Sequence, residues 1–180
     1  HHTAGDLKKA EDIYQQILEA DPDQPQVLHL LGVIAHQRGE NKQAVHFIEK
    51  ALSINPTYAD AHSNLGSALK ALGRLDDAVE RFEKALSLKS NFADAHNNLG
   101  LTLMEQGKVE QAIESYKKAL NIKQDYAEAH NNIGIAFKKL GRFEDAISSC
   151  QEALSIRPAF AEAHSNLGIP LKELGRLEEA

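Results

Sequence analysis

Residues 59–88 read ADAHSNLGSALKALGRLDDAVERFEKALSL, and the chain repeats this text at a fixed interval. Shifted by 34 residues, residues 93–122 read ADAHNNLGLTLMEQGKVEQAIESYKKALNI. After a second shift of 34, residues 127–156 read AEAHNNIGIAFKKLGRFEDAISSCQEALSI. Gly5, Gly39, Gly73, Gly107, Gly141 and Gly175 keep this spacing, as do Ala10, Ala44, Ala78, Ala112, Ala146 and Ala180. An unslipping period of this length marks a stack of like units and decides the architecture before any shorter motif does.

Within the unit, Ala61, Leu65, Ala68, Leu69 and Leu72 recur at helical spacing, with Asp60, Ser63, Asn64, Ser67 and Lys70 on the other face. Gly73 follows, where a helix end wants a residue that tolerates positive φ. Leu75, Ala78, Val79, Phe82, Ala85 and Leu86 then mark a second amphipathic helix, opened by Asp76-Asp77 and closed by Lys89, charges that suit the helix dipole. The unit is a helix, a short turn and an antiparallel helix. Gly66, Gly100 and Gly134 interrupt the first helix at a cost in propensity. Closer packing against Ala78, Ala112 and Ala146 is the expected compensation. One hairpin cannot bury both its apolar faces, so the units must stack.

The pattern Leu65-Gly66, Gly73, Ala78, Phe82, Ala85-Leu86, with Pro56 ending the preceding unit, resembles the tetratricopeptide repeat, and the match recurs along the whole chain. The resemblance implies an all-α fold: a right-handed superhelix, or α-solenoid, of stacked antiparallel helix pairs. His62, His96, His130 and His164 depart from it, standing where the family often carries a large aromatic. So do Ser90 and Gln124, which stand where it often has proline.

Composition narrows the function. The chain has 180 residues, 42% of them hydrophobic, with no apolar run long enough to span a bilayer. No signal peptide is visible, and no membrane insertion is expected. The single Cys150 takes the place of Phe82 and Tyr116 and reads as a small core hydrophobe. It excludes an internal disulfide and suits a reducing compartment, so the expected location is the cytoplasm. A net charge of −6 argues against nucleic acid as the main partner. No phosphate loop, nucleophile elbow or Cys-His ligand spacing occurs, so no catalysis and no cofactor are expected. The histidine column sits one residue per unit at the border of the apolar face, and reads as packing with a hydrogen-bonded ring nitrogen rather than as a metal site.

The array divides into a partial repeat at 1–24, complete repeats at 25–58, 59–92, 93–126 and 127–160, and a partial repeat at 161–180. His1-His2 read either as a tag remnant or as native sequence aligned with Ala35-His36; the native reading is preferred. The first complete repeat is the most apolar, with Leu30 where later units carry asparagine, and is expected to pack against further N-terminal sequence. Tyr58, Phe92, Tyr126 and Phe160 recur at the junctions and read as wedges between units. Pro170 lies inside a first helix, where it lacks an N–H for the carbonyl of Asn166, and predicts a kink there. The chain carries no polar capping helix and reads as a piece of a longer array. Its open ends are expected to drive end-to-end self-association.

The informative column is Asn64, Asn98, Asn132 and Asn166. These four share the polar face of the first helix, which in this fold is expected to line a concave groove. Asparagine is a poor helix former, so four in register call for a reason. Each amide offers donors and an acceptor, and can satisfy the main chain of an extended peptide without reading its side chains. The bland account is that the asparagines bond one another and stabilise the array. Asp60 and Ser67 share that face, with Leu101 and Ile135 as its apolar strip and Lys70 and Lys138 along one edge.

With the surrounding AHSNLG and AHNNLG, the column resembles the tetratricopeptide region of O-linked N-acetylglucosamine transferases. That resemblance implies that Asn64, Asn98, Asn132 and Asn166 hold a peptide backbone, with Asp60, Asp94, Glu128 and Glu162 as side-chain readers. Leu30 stops the ladder at the first full repeat. The basic clamp with which other tetratricopeptide proteins hold chaperone C-termini is missing, since Ser63, Asn97 and Asn131 stand there and Met104 breaks the lysine row. The expected function is a non-catalytic scaffold binding a protein or peptide. The alternatives are the substrate-binding arm of a larger enzyme and a self-assembling protomer.

Overall fold

Ten helices follow one another in the computed structural model, which describes residues 4–175. They are α1 (Ala4–Ala20), α2 (Pro25–Gln37), α3 (Asn41–Ile54), α4 (Ala59–Ala71), α5 (Leu75–Leu88), α6 (Ala93–Glu105), α7 (Val109–Ile122), α8 (Ala127–Lys139), α9 (Phe143–Ile156) and α10 (Ala161–Glu173). No strand occurs among the described residues. His1-His2, and residues 176–180 of the C-terminal partial repeat, lie outside them. The chain forms two compact units, His1–Ser90 and Asn91–Ala180. In the first, α1 to α5 pack each on the next, and α2 also touches α4. In the second, α6 to α10 do the same, and the first helices of successive hairpins touch, α6 against α8 and α8 against α10.

Each hairpin turns on its glycine. Gly73 adopts φ 74°, a left-handed conformation that a Cβ would strain. Its N–H bonds Lys70 O at 2.9 Å, and the N–H of Arg74 bonds Leu69 O at 3.0 Å. These two bonds form the Schellman closure that satisfies the helix's orphan carbonyls. The same pair recurs at Gly141 and Arg142, where the Arg142 guanidinium also lies 4.3 Å from the Phe137 ring centroid. Because the turn is so short, the second helix folds straight back on the first.

The mid-helix glycines do allow close approach, but not chiefly against the expected alanines. A Cβ on Gly100 would lie 2.5 Å from Tyr116 Cε1, and one on Gly66 would lie 2.9 Å from Phe82 Cε1. At Gly134 the nearest atom is Cys150 Sγ at 2.7 Å, with Ala146 O at 3.2 Å. The side chain one turn beyond the alanine is the knob, and the glycine is its hole. Phe82, Tyr116 and Cys150 are fully buried as a result. Burial also pushes the Cys150 thiol above its ordinary range.

The junction aromatics are built into the packing. Phe160 is buried with Ala127, Ala153 and Ala163, and the Arg157 guanidinium lies 4.6 Å from its ring centroid. Helix α10 continues unbroken through Pro170, and Leu174 N–H still bonds Pro170 O at 3.1 Å. The helix is therefore not broken at the position where the kink is expected. The proline ring is fully buried at the position of Ala68 and Ala136, where it fills core space. The apolar α2 meets α1 across a cleft of about 170 Å³ lined by Leu7, Ala10, Tyr14, Leu30, Val33, Ile34 and Gln37.

Candidate functional site

The helical period places one ladder asparagine on each first helix from α4 onward, with Leu30 at that position on α2. Asn64 lies on α4, Asn98 on α6, Asn132 on α8 and Asn166 on α10, and all four are half-buried. In the second unit the three carrier helices are consecutive neighbours, so Asn98, Asn132 and Asn166 belong to one packed face. Leu101 and Ile135, three residues on from Asn98 and Asn132, are also half-buried, while Ile169 is 54% exposed. In the first unit Ser67 turns its hydroxyl back to Ser63 O, 3.2 Å away. Lys70, near it, is half-buried and engaged.

The amides are not idle. Asn132 Nδ2 donates to Asn97 Oδ1 at 3.0 Å, and Asn166 Nδ2 donates to Asn131 Oδ1 at 3.0 Å. In the first unit Asn64 Nδ2 lies 2.7 Å from His29 Nε2, and His29 Nδ1 lies 3.0 Å from Tyr58 Oη. Each donor reaches the column one residue before the ladder in the preceding repeat. That column (His29, Ser63, Asn97, Asn131) is buried. Lys138 Nζ donates to Asn166 Oδ1 at 3.0 Å. The Nδ2 bonds join ladder asparagines to the neighbouring buried column rather than to one another, and they leave part of the Asn132 amide over. Asn132 keeps its Oδ1 and its second N–H without a partner among the described residues.

The acidic column is placed differently. Asp60 meets Lys89 at 3.5 Å, Asp94 accepts from Tyr126 Oη at 2.8 Å, and Glu128 pairs with Arg157. The Arg157 hydrogen bond holds the Glu128 carboxyl below its ordinary range. Burial, and then the bond to Asp94, push the Tyr126 hydroxyl well up. These carboxylates fasten the start of a first helix to the chain at or just beyond the end of its own second helix. Lys89 and Arg157, 68 residues apart in one column of the 34-residue period, carried that signal for Asp60 and Glu128, whereas Asp94 is held by Tyr126.

The histidine column is bonded as expected. His62, His130 and His164 place Nε2 at 3.0, 3.1 and 2.9 Å from the carbonyls of Pro56, Gln124 and Pro158. Each ring ties its helix to the loop that leads into it. No group of three His, Cys, Asp or Glu among the described residues could hold a metal ion. No helix among them is long and apolar enough to cross a membrane.

Family models for the TPR repeat match residues 66–107 and 100–141, and models for the tetratricopeptide repeat match residues 1–63, 35–86 and 127–160. No curated protein sequence matches the chain. Among solved structures, MamA is 30% identical with a TM-score of 0.78, over 88% of this chain and 92% of that one. YrrB, described as a TPR protein with an unusual peptide-binding site, is 20% identical with a TM-score of 0.74, over 92% and 86%. TTC0263 of Thermus thermophilus, a thermophilic TPR protein, is 21% identical with a TM-score of 0.77, over 93% and 92%. At those lower identities the last two are alike in fold alone.

Proposed function

The chain belongs to the tetratricopeptide-repeat family, and on that premise we propose that it is a non-catalytic scaffold that holds an extended peptide segment of a partner protein. The site is the first-helix face of the second unit, with Asn98, Asn132 and Asn166 as the rungs and Leu101 and Ile135 as the apolar strip beside them. The observation that carries this reading is the open amide of Asn132, half-buried between neighbouring first helices with an acceptor and a donor unspent. A peptide main chain offers the complementary N–H and C=O at every residue. That YrrB is described as having a peptide-binding site agrees with this use of the fold. Glu128 and Asp94, already bonded, act in positioning the helices and read ligand side chains only by giving up Arg157 and Tyr126.

The test is an array of unrelated peptides probed with the chain and with the double variant Asn98→Ala, Asn132→Ala, matched by far-UV circular dichroism. Binding should drop across many sequences together, because a backbone clamp is sequence-tolerant. Equal binding by the two proteins would remove the ladder from the site.

A further inference from the structure

We propose that Asn97 and Asn131 are positioning residues for the peptide ladder, holding the amides of Asn132 and Asn166 in one orientation. The inference rests on the peptide reading above and adds to it the residues that aim the rungs. Asn97 and Asn131 are each 5% exposed, so neither faces a ligand directly. Their Oδ1 atoms accept from Asn132 and Asn166 at the same distance, 3.0 Å.

The first unit repeats the arrangement with different chemistry. There the position is His29, 6% exposed, and its ring nitrogen takes the place of the amide oxygen opposite Asn64 Nδ2. Two unlike side chains thus do one thing at one register position: each sets a buried acceptor against the ladder donor. A solvated amide can turn over at little cost. Here the turned amide would set its own oxygen against a buried oxygen and leave both without a hydrogen, which disfavours the turn.

The orientation that remains keeps Nδ2 inward. At Asn132 it leaves Oδ1 for a ligand N–H. At Asn166 the same oxygen is already held by Lys138 Nζ. The rungs are therefore unequal: Asn132 is open, and Asn166 opens only when Lys138 is drawn off. An amide already fixed also loses less freedom when the ligand arrives, which favours binding.

The experiment follows the side-chain amides by 15N-edited NMR in the full chain, comparing wild type with Asn97→Leu and Asn97→Asp. The Asn132 amide protons should be dispersed and slow to exchange in wild type. They should collapse to exposed-amide behaviour in N97L and be retained in N97D, whose carboxylate still accepts. Asn131→Leu and Asn131→Asp, read at Asn166, give the same comparison should an Asn97 variant fail to fold. Fluorescein-labelled peptides selected on the wild-type array should bind N97L roughly tenfold more weakly, the scale of one lost hydrogen bond. Binding to N97D should stay within about twofold of wild type. Unchanged Asn132 resonances in N97L, or N97D behaving as N97L, would overturn the proposal. If wild type binds no peptide, the peptide reading fails, and the amide spectra still decide whether Asn97 positions Asn132.

Discussion

Gly100→Ala and Gly168→Ala are the same substitution at the same register position of two first helices, and they should move stability in opposite directions. In an unhindered helix interior, replacing glycine by alanine gains about 0.8–1 kcal/mol. Among the described residues nothing lies within 4 Å of a Cβ built on Gly168, so in this chain that gain should appear, at about 1 kcal/mol. At Gly100 the new methyl would meet Tyr116 Cε1 at 2.5 Å, Cδ1 at 2.7 Å and Cζ at 2.9 Å. Ordinary carbon contacts begin near 3.5 Å, so the ring must retreat by about 1 Å. Tyr116 is fully buried and has little room to do so. Overpacking of this kind costs roughly 1–3 kcal/mol, and the upper part of that range outweighs the helix gain, leaving a net loss of about 2 kcal/mol. Urea unfolding followed by far-UV circular dichroism would read both variants. In a Tyr116→Ala background the hole is empty, and Gly100→Ala should then regain the helix benefit, a coupling between the two sites. A Gly100→Ala protein as stable as wild type, with no coupling to Tyr116, would refute the knob-in-hole account of the hairpin.

Other consequences are as direct. The Tyr116 hydroxyl is buried without a hydrogen-bond partner among the described residues, so Tyr116→Phe should raise the urea midpoint, by up to about 1 kcal/mol of stability. Burial holds His29 and His62 below the ordinary 6.5, with Asp60 opposing it at His29 and the Pro56 carbonyl at His62. The folded chain then binds fewer protons than the unfolded one, so stability is present above about pH 6.5 and is lost as pH falls through the folded values. The melting temperature should drop on acidification in that window, and His62→Gln should flatten the slope. A slope unchanged by that variant would count against His62 as a source. The Cys150 thiol, fully buried and raised by burial, should resist a thiol reagent in the native chain and react at once in urea.

The fold was legible because the period imposes itself on every column. Gly73 announced its turn, and the alternation of two apolar stripes announced the hairpin. Which side chain enters which hole was not legible. A helical wheel gives the face of Gly100 but not the reach of the opposing helix, and Tyr116 reaches a turn further than Ala112. The ladder was visible as four asparagines in register. Its supports were harder to see, because Asn97 and Asn131 sit beside it on a face that looks polar on the wheel. Only the packing of successive first helices shows that one of these columns is buried and the next half-buried. The acidic column looked like helix N-terminal charge, and its partners Lys89 and Arg157 lie 29 residues away, beyond any local pattern.

The central claim, that the second unit grips the main chain of an extended partner, is tested most directly with backbone-methylated ligands. A peptide that binds the chain would be compared with the same sequence N-methylated at successive positions, each form measured by fluorescence anisotropy. Methylation removes a peptide N–H and leaves every side chain in place. The account predicts a loss of roughly tenfold at the positions facing Asn98 and Asn132, the scale of a hydrogen bond to a half-buried amide, and no loss in the Asn98→Ala, Asn132→Ala variant. Affinity that follows the peptide's side chains and ignores methylation would contradict it.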